Sequence, residues 1–390
     1  MKYIPQELPE AGSTVVVGMS GGVDSTLTAL LLKQKGCKVI GVTMSLWDGH
    51  IKEIEGEKVF FDACYGPGEK EDIEECKKFC SAHDIEYHVI DLSKEFNEKV
   101  LEYFKSEYRA GKTPNPCIRC NRFIKFGALL EGIKKIDIAY DYFCTGHYAM
   151  IVRPEEGIWG SDKKPCMVAC AADETKDQTY FLYRLPSEVL EKVRFPLASV
   201  RKSEVFELAK QAKLDAADRK ESQDFIDQRY LEVLFEDKPS VPGDFVDVNG
   251  KVLGKHKGIE FYTIGQRRGL GVAGPVPYYV KEIRADKNQI VLSDKSELQS
   301  TTFIADDCVW PCDLEPTQAF EALVKIRLRS HTEIARVEKY YPPEDDKDPY
   351  IGQPWKVTFT EGQFAITPGQ SAVMYVDNVI VGGGIIRKVI

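Results

Sequence analysis

The chain has 390 residues, more than a single hydrophobic core usually fills, so two or three domains are expected. Its 43% apolar and 29% charged content excludes a disordered or fibrous chain, and no run approaches the roughly 18 apolar residues of a membrane-spanning helix. A net charge of −9 sets the surface as a whole against a polyanion, so any nucleic-acid partner must be met by local basic patches.

The opening residues, MKYIPQELPEAGS, lack the charged-then-apolar pattern of a secretion signal, so a cytoplasmic location with no membrane partner is expected. Residues 14–18 form a β-branched run; a Gly-Gly turn and the helical spacing of Leu27, Leu30 and Leu31 follow. A second strand is predicted over 39–43, then a helix over 72–80 and a strand over 87–92. Alternation of this kind indicates an α/β fold with a parallel sheet. A further strand, 142–145, ends at Gly146-His147, and such sheets bind ligands beyond their strand C-termini. This first domain is predicted to span 1–213. Pro239, Pro242, Gly243, Gly250, Gly254 and Gly258 then punctuate a small β-rich middle domain over 214–282. Short alternating segments at 289–292, 322–327, 355–359 and 372–375 predict a C-terminal β-barrel over 283–390.

The segment Gly18-Met19-Ser20-Gly21-Gly22-Val23-Asp24-Ser25 joins the first strand to the first helix, where glycines and backbone N–H groups cradle an anion at the positive helix end. It is neither a Walker loop nor a dinucleotide fingerprint. It closely resembles the loop of the PP-loop ATP pyrophosphatases. That resemblance implies ATP binding and adenylation of an oxygen, which turns a poor leaving group into AMP. Asp24 is a candidate to hold Mg²⁺ beside the phosphates, or else a plain helix-start residue.

Further motifs narrow the family. Thr113-Pro114-Asn115-Pro116 with Cys120-Asn121 and Ile124-Lys125-Phe126, then 145–149 (TGHYA), 176–181 (KDQTYF), 262–271 (YTIGQRRGLG) and 367–370 (TPGQ) are similar to the signatures of bacterial and mitochondrial tRNA-specific 2-thiouridylases. The resemblance implies that Met44 and Gly146 contact ATP together with residues 18–25. It also implies that Asn115, Pro116 and Cys117 touch the target base, and that His147, Lys176, Asp177, Gln178 and Gln370 contact tRNA. The family's Arg-Tyr pair reads Arg327-Leu328 here, so only Arg327 carries over. The implied substrate is the wobble uridine of tRNAs for Lys, Glu and Gln, and the implied middle domain contacts tRNA. Local patches such as Arg119, Arg122 and Lys125, or Gln266, Arg267 and Arg268, meet the charge objection. Ordinary readings stand beside these. His147 can serve a backbone carbonyl, Lys176 can be a solvated charge, and Tyr180-Phe181 can be core.

The sulfur-carrying residues depart from the family's common form, which has Asp directly after Asn-Pro, a nucleophilic Cys three residues on and a persulfide Cys far downstream before a Phe. Here Cys117 stands at the Asp position, Cys120 at the nucleophile position, and no cysteine occurs between Cys170 and Cys308. The downstream segment carries Asp224 before Phe225 instead. Cys117, Cys120 and Asp224 are thus candidate catalytic residues and candidate ligands of a four-iron four-sulfur cluster, whose open iron would present hydrosulfide to the adenylated base. The nearest rival is persulfide–disulfide chemistry on Cys117 and Cys120. A structural zinc completed by Cys64, Cys76 or Cys80 is a third possibility, while Cys166, Cys170, Cys308 and Cys312 read as ordinary thiols. The sulfur source is a donor protein or inorganic sulfide. Two other classes stay open: an amidotransferase-like PP-loop ligase, and a tRNA-binding module that no longer thiolates.

Overall fold

The structure is a computed structural model and describes residues 1–49, 64–218, 225–226 and 230–390. Its first unit comprises Met1–Val100, Cys117–Val233 and Asp377–Ile380. In chain order it contains β1 (Tyr3–Pro5), β2 (Thr14–Gly18), helix α1 (Val23–Gln34), β3 (Lys38–Ser45), helix α2 (Glu69–Ala82) and β4 (Glu86–Asp91). There follow β5 (Tyr142–Cys144), β6 (Met150–Pro154), β7 (Met167–Ala169) and β8 (Val193–Arg194). Five of these strands pair in parallel in the order β4-β3-β2-β5-β8. A central parallel strand is covered on both faces, and β2 accordingly reads as an unbroken apolar run, with Val15, Val16 and Val17 fully buried. The chain steps from β2 outward to β3 and β4, then returns to the other side of β2 as β5. The order therefore reverses at β2, and the crevice beyond its C-terminal end is where such sheets receive ligands. The predicted strands at 14–18, 39–43, 87–92 and 142–145 and the helix at 72–80 are all present, within a few residues at their ends.

The second unit comprises Leu101–Pro116, Leu234–Val376 and Val381–Ile390. It holds a four-stranded sheet of β9 (Gly243–Val246), β10 (Val252–His256), β11 (Tyr279–Arg284) and β12 (Gln289–Ser293), in the order β10-β9-β12-β11. Its core is small, centred on Phe245, Val280, Ile290 and Leu292. One expectation is corrected here: the segment 289–292, predicted as barrel, is β12 of this sheet, because it pairs in parallel with β9 more than forty residues earlier. Alternation shows that a segment is a strand and is silent about a distant partner. The helix Glu102–Arg109 also groups with this unit, its Arg109 guanidinium donating to both oxygens of Asp237 at 2.9 and 3.3 Å.

The remaining strands are β13 (Gln299–Val309), β14 (Phe320–Lys325), β15 (Glu333–Lys339), β16 (Trp355–Phe364), β17 (Ser371–Val376) and β18 (Val379–Val389). They run in the order β18-β13-β16-β15-β14-β17, and β17 pairs back to β18, so six strands close into the predicted barrel and leave no edge exposed. Trp355 fills it: the ring is fully buried, packs 4.8 Å from Trp310 and donates its indole N–H to Glu315 at 3.0 Å. Trp355→Ala should destabilise this barrel by about 3–5 kcal/mol, the range for emptying a buried tryptophan site. Denaturant unfolding followed by Trp310 fluorescence measures it, and a shift of under about 1 kcal/mol would contradict the packing described.

Candidate active site

The loop after β2 is shaped by glycines with separate tasks. Gly21 has φ +74°, a left-handed conformation that L side chains rarely adopt. A Cβ on Gly18 would press on the Phe143 ring at 3.3 Å, so the strand end lies hard against β5. Gly22 is the N-cap of α1 and offers no side-chain cap, leaving first-turn N–H donors for a ligand. The loop is braced from within: Ser20 N–H donates to Ser25 Oγ at 3.2 Å, and that hydroxyl donates to the Gly22 carbonyl at 3.0 Å. Met19 N–H donates to the Val42 carbonyl at 2.8 Å, fixing the loop to β3, the strand on which half-buried Met44 lies.

Gly146 closes the other side. A Cβ there would sit 2.7–2.9 Å from the backbone and Cβ of Asp24, so only glycine lets this segment reach α1. Asp24 itself departs from one expectation. Both its oxygens are held by the Lys202 ammonium, at 2.7 and 2.8 Å, and the Tyr148 hydroxyl donates to Oδ1 at 2.7 Å. A carboxylate so engaged does not fit the role of a ready Mg²⁺ ligand.

Next to Gly146, His147 is half-buried, packs against the Phe126 and Phe195 rings and shares a 2.7 Å hydrogen bond with the Thr145 hydroxyl. Burial first, and the Lys125 ammonium second, drive its pKa well below the usual histidine value, so it is neutral at physiological pH. A neutral ring of this kind offers hydrogen bonding or stacking to a neighbour. It does not act as a cation for phosphate. The Lys176-Asp177-Gln178 turn is half-buried. Asp177 accepts from the N–H groups of Ala171 and Thr179 at 3.0 and 3.2 Å, and Gln178 pairs with Tyr148 in both directions at 2.9 and 3.0 Å. Two of the three predicted contact side chains therefore also hold the turn in shape. Tyr180 is fully buried core.

The helix Pro116–Arg119 runs into a wide π-helical stretch, Cys120–Ala128, a form common at functional sites. Cys117 and Cys120 are three residues apart, one turn along the same face, and both are half-buried. Burial pushes the Cys120 thiol up to about 11; the Lys125 charge pulls it down and the Cys64 thiol pushes it further up. Cys64, one of the three thiols weighed for a zinc site, is thus brought near Cys120; it keeps accessible area, while burial raises its pKa. Cys76 and Cys80 are instead buried in the core under β3. Among the described residues no group of three or more His, Cys, Asp or Glu side chains is placed to hold a metal ion. Asp224 lies outside the described residues. Its neighbour Phe225 stacks on Tyr65 at 6.4 Å and lies 6.1 Å from Phe96.

The second unit carries the other predicted residues. Asn115 is half-buried and Pro116 buried. Gln370 donates to the carbonyls of Thr113 and Pro114 at 2.9 and 3.4 Å, and Thr113 N–H donates to the Pro368 carbonyl at 2.9 Å. The 367–370 turn therefore grips the segment ahead of Asn115. Arg327 donates to the Ile264 carbonyl at 3.3 Å, and to the Ala365 carbonyl and the Thr367 hydroxyl, so its guanidinium ties the 262–271 segment to the barrel.

A phosphate loop at the reversal point of a parallel sheet defines a nucleotide-binding protein of the HUP class, and residues 13–227 match the family model described as tRNA methyl transferase HUP domain. Residues 229–294 match the tRNA methyl transferase PRC-barrel domain and 300–386 the aminomethyltransferase beta-barrel domain. The chain is 41% identical over 381 residues to tRNA-specific 2-thiouridylase MnmA of Endomicrobium trichonymphae, covering 97% of this chain and 99% of that protein. It is likewise 41% identical over 380 residues to the protein of that name from Carboxydothermus hydrogenoformans, covering 96% and 97%. The chain belongs to the tRNA-specific 2-thiouridylase family. Among solved structures, the U34-tRNA thiolase NcsA from Methanococcus maripaludis with its four-iron four-sulfur cluster aligns over 53% of this chain and 59% of that one. Its identity is 18% and its TM-score 0.31, too distant to bear on the chemistry of the site.

The raised Cys120 pKa carries a direct consequence. At pH 7 the group is a thiol, and its reactive thiolate grows about tenfold per pH unit until the pH nears the folded pKa. Iodoacetamide labelling of Cys120, followed by peptide mass spectrometry, should therefore keep accelerating from pH 7 to 10. A plateau near the ordinary thiol pKa would contradict the burial described.

Proposed function

We propose that this protein is an ATP-dependent tRNA sulfurtransferase that replaces the 2-oxygen of a wobble uridine with sulfur. The observation that carries this reading is the pair Cys117 and Cys120, one turn apart directly after Asn115-Pro116 in a chain whose first helix opens on a phosphate loop. ATP at residues 18–25, with Met44 and Gly146 beside it, adenylates the uridine oxygen, and sulfur displaces AMP from C2. Asn115, Pro116 and Cys117 meet the base. His147, Lys176, Asp177, Gln178, Arg327 and Gln370 serve the tRNA, drawn from the Lys, Glu and Gln isoacceptors. An amidotransferase-like ligase has no use for thiols beside its substrate.

For sulfur delivery we favour a four-iron four-sulfur cluster on Cys117, Cys120 and Asp224, supplied by inorganic sulfide or a donor protein. The spacing of the two cysteines fits two ligands of one cluster. Bound there, the cluster would carry the exchangeable sulfide; this chain's part is to hold it, to seat the base and to exclude water. Persulfide–disulfide chemistry remains the second reading, favoured by the presence of Cys64 near Cys120. There the outer sulfur of a persulfide displaces AMP. A second thiolate then takes the inner sulfur, leaving a disulfide for a cellular dithiol to reduce.

Incubation with tRNA, ATP, Mg²⁺ and a sulfur source should yield 2-thiouridine by nucleoside mass spectrometry. Cys120→Ala should lose at least 100-fold in that product while retaining tRNA-dependent pyrophosphate release. Absence of pyrophosphate from the wild-type protein would sink the reading. Anaerobic reconstitution separates the two sulfur routes: about four irons per chain are expected for the wild type, and none for Cys117→Ser/Cys120→Ser. An iron-free wild-type protein that thiolates from a persulfide donor would decide for the second.

A further inference from the structure

A carboxylate is a poor neighbour for a triphosphate, yet Asp24 stands in the first turn of α1, at the mouth of a loop built to receive an anion. Its partner is fixed from several directions. Lys202 is only 8% exposed at its side chain against 27% for Asp24, and its ammonium lies over the rings of Tyr148 at 5.5 Å and Phe206 at 4.9 Å. Its backbone N–H donates to Asp173 at 2.9 Å, anchoring the start of the helix Lys202–Gln211, which packs on α1. A buried lysine held this way cannot swing freely to solvent, so its charge stays where Asp24 is.

We propose that Lys202 is a positioning residue for ATP binding: by neutralising and fixing Asp24 it removes the negative charge that would otherwise face the incoming triphosphate. With the pair intact, the N–H groups at the head of α1 and the loop glycines set the sign of the pocket. Tyr148 contributes by orienting Oδ1, which links the 145–149 segment to the same task. The proposal rests on the loop being the ATP site and is independent of how sulfur is delivered.

The test is ATP binding by calorimetry on the full chain, without tRNA, for wild type, Lys202→Met, Lys202→Arg, Asp24→Asn and the Asp24→Asn/Lys202→Met double variant. Lys202→Met uncovers the carboxylate and should weaken ATP binding at least tenfold, whereas Lys202→Arg keeps the charge and should stay within about threefold of wild type. Removing the carboxylate as well should restore binding to within about threefold of Asp24→Asn, an outcome a merely structural lysine would not produce. The double variant leaves no unpaired charge, so it answers the question even where Lys202→Met fails to fold. Wild-type affinity in Lys202→Met, or a folded double variant that binds at least tenfold more weakly than Asp24→Asn, overturns the proposal. Failure of the wild-type chain to bind ATP refutes instead the reading of the loop.

Discussion

The first unit is organised around the head of α1, where backbone N–H groups are left for a ligand. That requirement forbids a side-chain cap, and Gly22 provides none. It demands a sharp turn, which Gly21 makes in a left-handed conformation. It also demands that neighbouring segments come close without filling the space, which Gly18 allows against Phe143 and Gly146 against Asp24. A buried, uncapped helix end is normally a liability. Placed beyond the C-terminus of the central strand, where the strand order reverses, it is a positively polarised end of the kind that suits an anion.

The thiols present a different balance. A nucleophile is strongest as its anion, but burial holds Cys120 largely protonated at neutral pH. A cation nearby eases ionisation, and Lys125 acts in that direction on both Cys120 and Cys64. The same charge, with burial, keeps His147 neutral. One lysine thus helps thiols towards anions while denying a positive charge to the histidine beside them. At neutral pH a Cys120 thiol with these properties reacts slowly with electrophiles.

Local features were legible in the sequence because local physics made them. The apolar run of β2, the glycines of the loop, the helix at 72–80 and the alternating barrel strands each declare themselves within about ten residues. What is not legible there depends on long-range pairing. Lys202 meets Asp24 across 178 positions, and no spacing rule announces a buried lysine at the start of an otherwise ordinary helix. The strand β12 was visible as a strand, but its parallel partner β9 was not. Gln178 carries a family motif, yet its pairing with the backbone of Tyr148 emerges only once the two turns are adjacent. Asp24 shows the same lesson in reverse: its position beside the phosphates suggested a metal ligand, and only the fold supplied the ammonium that occupies it.

The overall charge of −9 can be reconciled with an RNA partner by considering range. At physiological ionic strength charges are screened over about 8 Å, so a phosphate responds to the residues it touches and hardly to the sum over a 44.0 kDa chain. In the first unit Arg119 and Arg122 both lie over the Phe123 ring, at 4.7 and 5.4 Å, which concentrates two cations on an aromatic platform beside the cysteine pair. In the second unit Arg267 and Arg268 are exposed on a turn between the positive-φ glycines Gly265 and Gly269. Steering by the whole molecule is then weak or repulsive, and recognition falls to short-range contacts. That arrangement disfavours indiscriminate binding to nucleic acid while permitting tight binding where a particular RNA fold matches the patches.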